Sequence, residues 1–461
     1  MPAQSATATD VSPRSPVHGE QYRSYVNPQW VRLLEALDMN VEYTKAQGAW
    51  LYTADGRRIL DFLSGYCVHN TGHNHPQIVS ALQRELAAEG PAMVQSLVSD
   101  AAGELAAMLC EKAGGGLKKV FFCSSGSEGV EAAIKYARAF TRRTGLVYAS
   151  GAFHGLTCGA LSLMGDDFWR EGFGPMLADT HEVPFGDLSA IEKKLASKKM
   201  AAVILEPIQS EAGIRVPSAE YLNGVQSLCR QYGTLLVLDE VQTGLGRTGT
   251  FLAGHRYGVT PDIVVLAKAL SGGLIPIGAV LMTDVVYRSV YDSLKRSIVH
   301  TSTYTENGLA MRAGIATLEV VRSENLVDRS EIMGQYLRTR LREELGGYEM
   351  IAGIRGEGLL NGIEFRAPRS VKLRFAFEAF KTIHPGMFGQ MVVMRMFREQ
   401  GILTQMCGNN FMVLKVAPPL TIEEEEIDQF VSSMQEVVEL IHSSGAFWAD
   451  AIGMAKRVVN L

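Results

Sequence analysis

Short apolar runs recur along the chain from about Gly48 onward, each too brief for a helix and apolar at nearly every position. They include Lys119–Cys123 (KVFFC), Ala202–Leu205 (AVIL), Leu235–Leu238 (LLVL) and Ile263–Leu266 (IVVL). Stretches with helical spacing lie between them, among them Gly129–Arg142 and Ala219–Tyr232. Strands without polar alternation, separated by helices, predict a parallel sheet covered on both faces. The expected fold class is therefore α/β, with this core over residues 66–310. From Met311 the pattern changes to a long helix reaching Glu319, followed by strand-like GLLNGIEF and FMVLKVAPP. That predicts a smaller α+β domain over 311–461, to which 21–65 is assigned. Residues 1–20 are small, polar and proline-bearing, without the apolar segment of a secretory signal, and read as a disordered tail.

Composition narrows the function classes. With 47% apolar and 20% charged residues the chain can build a packed core. The 44 basic and 49 acidic residues give a net charge of −5, which favours neither nucleic acid nor an anionic membrane. No apolar run reaches the ~18 residues of a membrane span. Cys67, Cys110, Cys123, Cys158, Cys229 and Cys407 are scattered, which argues against a disulfide framework or a cysteine metal cage and predicts a cytoplasmic protein.

Three strand ends carry candidate chemistry. Ser124-Ser125-Gly126-Ser127-Glu128 stands between KVFFC and a helix. Such a turn offers free backbone N–H groups to a phosphate, and the same letters read as a capping box of Ser125 and Glu128; both can hold together. Asp239 and Glu240 close LLVL at the carboxyl end of a strand, where open α/β sheets bind ligands. A buried carboxylate there needs a cationic partner, unless the acids only cap the next turn. Lys268 closes IVVLA before Ser271-Gly272-Gly273. It either snorkels to water or, partly desolvated, serves as an amine nucleophile. Phosphate seat, acid and lysine together are what pyridoxal phosphate requires. Two further patterns point elsewhere. Gly244–Gly249 (GLGRTG) matches the dinucleotide fingerprint, but Gly254, Gly258 and Pro261 break the helix it should open. His69, His73 and His75 lead into a helix at Pro76 and read as turn and capping residues, so no metal site is expected.

Linked motifs follow in order: DGRRILDFLSGYCVHNTGHNHPQIVSAL, FFCSSGSEGVEAAIKYAR, FHG at 153–155, ILEPIQSEAG, LLVLDEVQTGLGRTG, PDIVVLAKALSGG, HTSTYTEN, GIRGEGLLNGIEF and VAPPL. From about Gly48 to Ile422 the chain thereby resembles the class III, ornithine-type pyridoxal-phosphate aminotransferases. The resemblance implies fold type I, a large mostly parallel sheet domain plus a smaller α+β domain. It implies Lys268 as the lysine joined to the cofactor, Asp239 as partner of the pyridinium nitrogen, Gln242 at the phenolic oxygen and Val241 beside them. Gly126 and Ser127, next to Ser125, fall at the phosphate. Phe153 falls on the ring with His154 completing its motif, and Glu206 beneath the site. Thr303 is implied to reach the phosphate of another subunit's cofactor, hence a homodimer. Tyr66, Glu211 and Lys415 fall at substrate positions. The implied reaction moves an amino group from a terminal amine, diamine or amino acid to a 2-oxo acid by a ping-pong route. Decarboxylase or aminomutase chemistry on the same fold is the alternative, and nicotinamide-dependent dehydrogenation is one from another class.

The chain departs from that family at three places. The usual arginine before Ala-Pro-Pro is Lys415, which cannot fork onto a carboxylate. A Lys415–Glu211 pair is therefore expected, with a donor that has no carboxylate near its amine or is long and apolar. Thr305-Glu306 stands where the family has glycines. Residues 366–400, basic and then rich in Phe and Met, read either as helices packed on the small domain or as a hydrophobic lid. FWADAIGMAKRVV reads as a docking C-terminal helix.

Overall fold

The backbone is organised around three sheets in a computed structural model, which describes residues 18–443 apart from 94–95, 372, 376 and 379–385, together with 447–448. An antiparallel ribbon comes first: β1 (Tyr43–Gln47), β2 (Trp50–Thr53) and β3 (Arg58–Asp61). The large sheet follows, built from β4 (Leu117–Cys123), β5 (Gly145–Ala149), β6 (Thr180–Val183), β7 (Met200–Leu205), β8 (Leu235–Asp239), β9 (Ile263–Leu266) and β10 (Gly278–Thr283). Its spatial order is 4-10-9-8-7-5-6. Neighbours from β9 to β6 run parallel, and β10 runs antiparallel to both β9 and β4. The third sheet joins β11 (Ile351–Glu357), β12 (Leu360–Phe365), β14 (Gln405–Cys407) and β15 (Asn410–Val416), while β13 (Ile402–Leu403) pairs in parallel with β3. This is the mostly parallel α/β architecture that the apolar runs predict.

Successive residues of the central strands serve opposite cores, as a period of two requires. Val237, Val265 and Val280 pack beneath the helix Gly126–Thr141 with Val130, Ala133 and Ile134. Leu236 and Leu238, with Val264 and Leu266 beside them, belong to cores on the other side. The helix Ala219–Tyr232 has the expected bounds, whereas the helix expected over Met311–Glu319 runs from Gly308 to Ser323.

The C-terminal half of the Phe- and Met-rich segment is core. In the helix Met387–Arg398, Met387, Phe388, Met391, Val392, Met394, Met396 and Phe397 are buried, packed on β13–β15 and the helix Glu424–Ser443. In this helix the apolar side chains fill the core; Val371 and Phe375 upstream are exposed, and residues 372, 376 and 379–385 lie outside the described residues. So do 1–17 of the expected tail, whose end runs into a helix at Glu20–Tyr25. Of the expected C-terminal helix, Phe447 and Trp448 are described, and both are buried.

The GLGRTG turn proves to be a clamp. It is followed by a four-residue helix, Ala253–Arg256, too short for a dinucleotide site. Its Arg247 is fully enclosed and donates to the carbonyls of Leu359 (3.0 Å) and Pro418, to Ser64 Oγ (3.2 Å) and to Asn70 Oδ1 (2.6 Å). One guanidinium thus ties the loop after β3 to one end of the C-terminal sheet, where β12 begins and β15 finishes side by side. Replacing Arg247 by lysine cannot span these acceptors and leaves buried carbonyls bare. Arg247→Lys is expected to lower unfolding stability by about 3 kcal/mol, read as a shift of the urea midpoint. A shift within about 0.5 kcal/mol, the range of an ordinary surface substitution, would contradict the clamp.

Candidate active site

The site begins where β8 ends. Asp239 is buried after four apolar residues, and its Oδ2 meets His154 Nδ1 at 2.8 Å while Oδ1 accepts the Val241 N–H at 3.1 Å. Burial favours a neutral His154 ring, but the hydrogen bond to Asp239 and its charge, with Glu206 nearby, hold its pKa above the ordinary value. Beneath lies Glu206, which accepts N–H bonds from Phe153 (3.0 Å) and Ser210 (3.3 Å). Desolvation raises its pKa to about 7.

Lys268 follows β9 in a left-handed backbone conformation, φ +46°, at the start of a 3₁₀ turn. Its Nζ donates to Gln242 Oε1 at 3.4 Å. On the far side, the helix Gly126–Thr141 opens at β4. Ser125 Oγ accepts the Glu128 N–H (3.2 Å), and Glu128 reaches back to the Ser124 N–H (2.6 Å), one residue before the expected return of a capping box. Among the described residues the N–H groups of Gly126 and Ser127 find no acceptor. A Cβ on Gly126 would stand 2.9 Å from Val241, and one on Gly155, φ +116°, only 2.0 Å from Ser127 Oγ. The turn, the FHG loop and the strand end are thus pressed together around one cavity of about 500 Å³. Ser125, Gly126, Ser127, Phe153, His154, Glu206, Asp239, Val241, Gln242 and Lys268 all line it.

Thr303 is not among them. It lines a second cavity of about 310 Å³ together with Glu306, whose φ of +61° is the conformation that favours the glycine expected there. Lys415, Glu211 and Tyr66 form a separate cluster. Lys415 is fully enclosed, bonded to Glu211, with its Nζ 5.5 Å over the Tyr66 ring. Burial pulls the Lys415 ammonium down in pKa, but Glu211 outweighs it and holds the group above its ordinary value; Glu211 is correspondingly lowered against its own desolvation. The histidines divide as turn residues do: His73 bonds Asp61 (2.8 Å), and His75 caps the helix at Gln77 and meets Glu324.

Comparison with known proteins bears on this geometry. The family profile described as aminotransferase class-III matches residues 34–438. The chain belongs to the class-III aminotransferases. It is 36% identical over 451 residues to Aminotransferase PigE of a Serratia species, covering 91% of this chain and 53% of that protein, so it spans about half the length of that relative. It is also 36% identical over 437 residues to a putrescine aminotransferase of Pectobacterium atrosepticum, covering 92% of this chain and 88% of the other. Among solved structures, the ornithine aminotransferase of Toxoplasma gondii superposes with a TM-score of 0.79 at 29% identity, over 93% of this chain and 99% of that one. The family's cofactor is pyridoxal phosphate, which a second structure of that Toxoplasma enzyme holds at partial occupancy.

The class-III cofactor fits this cavity on the chain's own features. Unpaired N–H groups at a helix start suit its phosphate, and a glycine cradle admits close approach. A buried carboxylate stands on one side and a lysine amine on another. Sequence reading missed two contributors. Ser64 to Cys67 all have φ between +46° and +65°, a left-handed run that presents Tyr66; such backbone costs roughly 1–2 kcal/mol per non-glycine residue and persists only where surroundings impose it. Asp61 imposes it here by accepting the Leu63 and Ser64 N–H groups, both at 2.8 Å. Trp169 is the other, packed edge-on to Phe153 at 5.4 Å.

Glu206 gives this class-III site a pH signature. Its pKa is raised by folding, so its contribution to stability is full below the ordinary carboxyl value and is lost as pH rises through about 7. In cofactor-free protein, urea midpoints of Glu206→Gln against wild type should diverge across that interval by an order of a few kcal/mol, with the variant gaining. Parallel curves would contradict the assignment.

Proposed function

We propose that this chain is a pyridoxal-phosphate-dependent aminotransferase that takes an amino group from a terminal amine, diamine or amino acid and passes it to a 2-oxo acid. The observation that carries the reading is one cavity lined by Asp239, Lys268, Gln242 and the bare N–H groups of Gly126 and Ser127. Bound there, the cofactor supplies an electron sink that acidifies the hydrogen on the donor's amine-bearing carbon. Asp239, oriented by His154, would keep a proton on the ring nitrogen. Gly126, Ser127 and the Ser125 cap would hold the phosphate. Phe153 and Val241 would pack on the ring and Gln242 would bond the phenolic oxygen, while Glu206 fixes the Phe153 backbone from below. Lys268 Nζ takes the proton from the donor carbon and delivers it again, the work of a general base and then a general acid. Tyr66, Glu211 and Lys415 shape the donor side.

The same reading extends to assembly. Leu97, Val98, Leu294, Ile298 and Tyr304 are exposed, and Leu97 and Ile298 line the cavity that holds Thr303. A second copy docked on this face would cover them and carry Thr303 to the partner's cofactor phosphate, giving a homodimer with shared sites. The six cysteines are free, in keeping with a cytoplasmic protein. Among the described residues no helix is long and apolar enough to cross a membrane.

Steady-state rates test the proposal. Aldehyde formation from a primary amine should require a 2-oxo acid and give parallel double-reciprocal lines. Lys268→Ala should lower kcat/KM by at least about 10²–10⁴-fold. Carbon dioxide release without any acceptor would point instead to a decarboxylase.

A further inference from the structure

Next to the cavity, the cluster of Lys415, Glu211 and Tyr66 has a charge balance that narrows the donor class. Lys415 is fully enclosed and bonded to Glu211 Oε1, and Glu211 Oε2 accepts the Gly408 N–H at 2.9 Å. Each carboxylate oxygen therefore holds a partner, and the pair sums to zero charge. Lys415 also sits over Tyr66, occupying one face of that ring with a cation. The Cys407 thiol alongside carries no charge to offer, since burial pushes it up to about 12.

Trp169 joins this cluster from behind Phe153, which lines the cavity, and the two form a wall beside it. Its ring meets Phe153 edge-on at 5.4 Å, and its Nε1 donates to Asn409 Oδ1 at 2.8 Å. Asn409 is fixed in turn by its own N–H to the Glu211 carbonyl (2.9 Å) and its Nδ2 to the Gly151 carbonyl (3.2 Å). A Cβ built on Gly408 would lie 3.0 Å from Glu211 Oε2 and 3.6 Å from Trp169 Cζ2, so the ion pair and the indole converge on one spot. From there the aromatic surface runs outward. Phe168 packs against Trp169 at 5.1 Å and is 74% exposed, and Phe173 is 69% exposed.

We infer that this wall receives an uncharged, apolar tail, and that Trp169 sets the preference for it. The inference rests on the aminotransferase reading and narrows its donor class to alkyl amines. The reaction is R–CH₂–NH₂ plus a 2-oxo acid giving R–CHO plus the amino acid, and R lies along Trp169. A second ammonium on R would lose water and find only a carboxylate already neutralised by Lys415, which is costly. An alkyl tail gains from each methylene buried on the indole.

The test uses the pyridoxal-phosphate-loaded full chain with pyruvate as acceptor, and propylamine, pentylamine, heptylamine and putrescine as donors. Pentylamine matches putrescine in length, with a methyl in place of the second ammonium. In wild type kcat/KM should rise about fourfold per added methylene, and pentylamine should exceed putrescine by about tenfold or more. Trp169→Ala should flatten the chain-length slope. Lys415→Met, which frees Glu211, should shift the ratio toward putrescine. Putrescine equal to or better than pentylamine in wild type overturns the inference while leaving transamination standing, as does an unchanged slope in Trp169→Ala. Should either variant fail to fold, the wild-type series decides alone. Turnover of none of the four amines overturns the inference, and failure of amino acid donors with pyruvate as well overturns the reading on which it rests.

Discussion

Burying a carboxylate at the end of an apolar strand is the constraint from which this site follows. Asp239 leaves water at the end of β8, and such burial is tolerated only with partners. The imidazole of His154 is the main one, at 2.8 Å. Holding His154 there fixes the Phe153–Gly155 loop. That loop is pinned from below by Glu206 and pressed against Ser127, where glycine alone leaves room at position 155. The turn that offers its bare N–H groups to a phosphate is thereby set at a fixed distance from the acid. Lys268, one strand over, closes the arrangement. The spacing of acid, amine and anion seat is thus a consequence of sheet order and of one buried hydrogen bond.

The same rule gives the opposite result at the donor side. Asp239 is paired yet still lines an open cavity, whereas Lys415 and Glu211 satisfy one another and are withdrawn from further bonding. A charge left partly available does chemistry or binds a ligand; a charge cancelled internally becomes part of a wall. The lysine that replaces the family's arginine decides this. A single ammonium can be absorbed by one carboxylate, while a planar guanidinium keeps further donors.

Much of the site was legible in the sequence, because strand ends of a parallel sheet converge in space and the motifs there are contiguous. Asp239, Lys268, the Ser125–Ser127 turn and Phe153–His154 line one cavity as their motifs led one to expect. Edge strand β6 was not legible, since THEV is half polar where one side faces water. The helix Met387–Arg398 was ambiguous for a different reason: an apolar run looks alike whether it covers a pocket or fills a core, and only its neighbours decide. Arg247 carried a misleading motif, and its role depends on carbonyls more than 100 residues away. Trp169 and the left-handed run at Ser64–Cys67 left no local signal, because both are held by contacts made across the fold.

The account's central claim is that Lys268 and no other lysine holds the cofactor beside Asp239. Borohydride reduction of the pyridoxal-phosphate-loaded protein, followed by peptide mass spectrometry, tests it most directly. The account predicts one phosphopyridoxyl-bearing peptide, with the added mass on Lys268. The same mass on another lysine, or none on a folded and loaded protein, would contradict it.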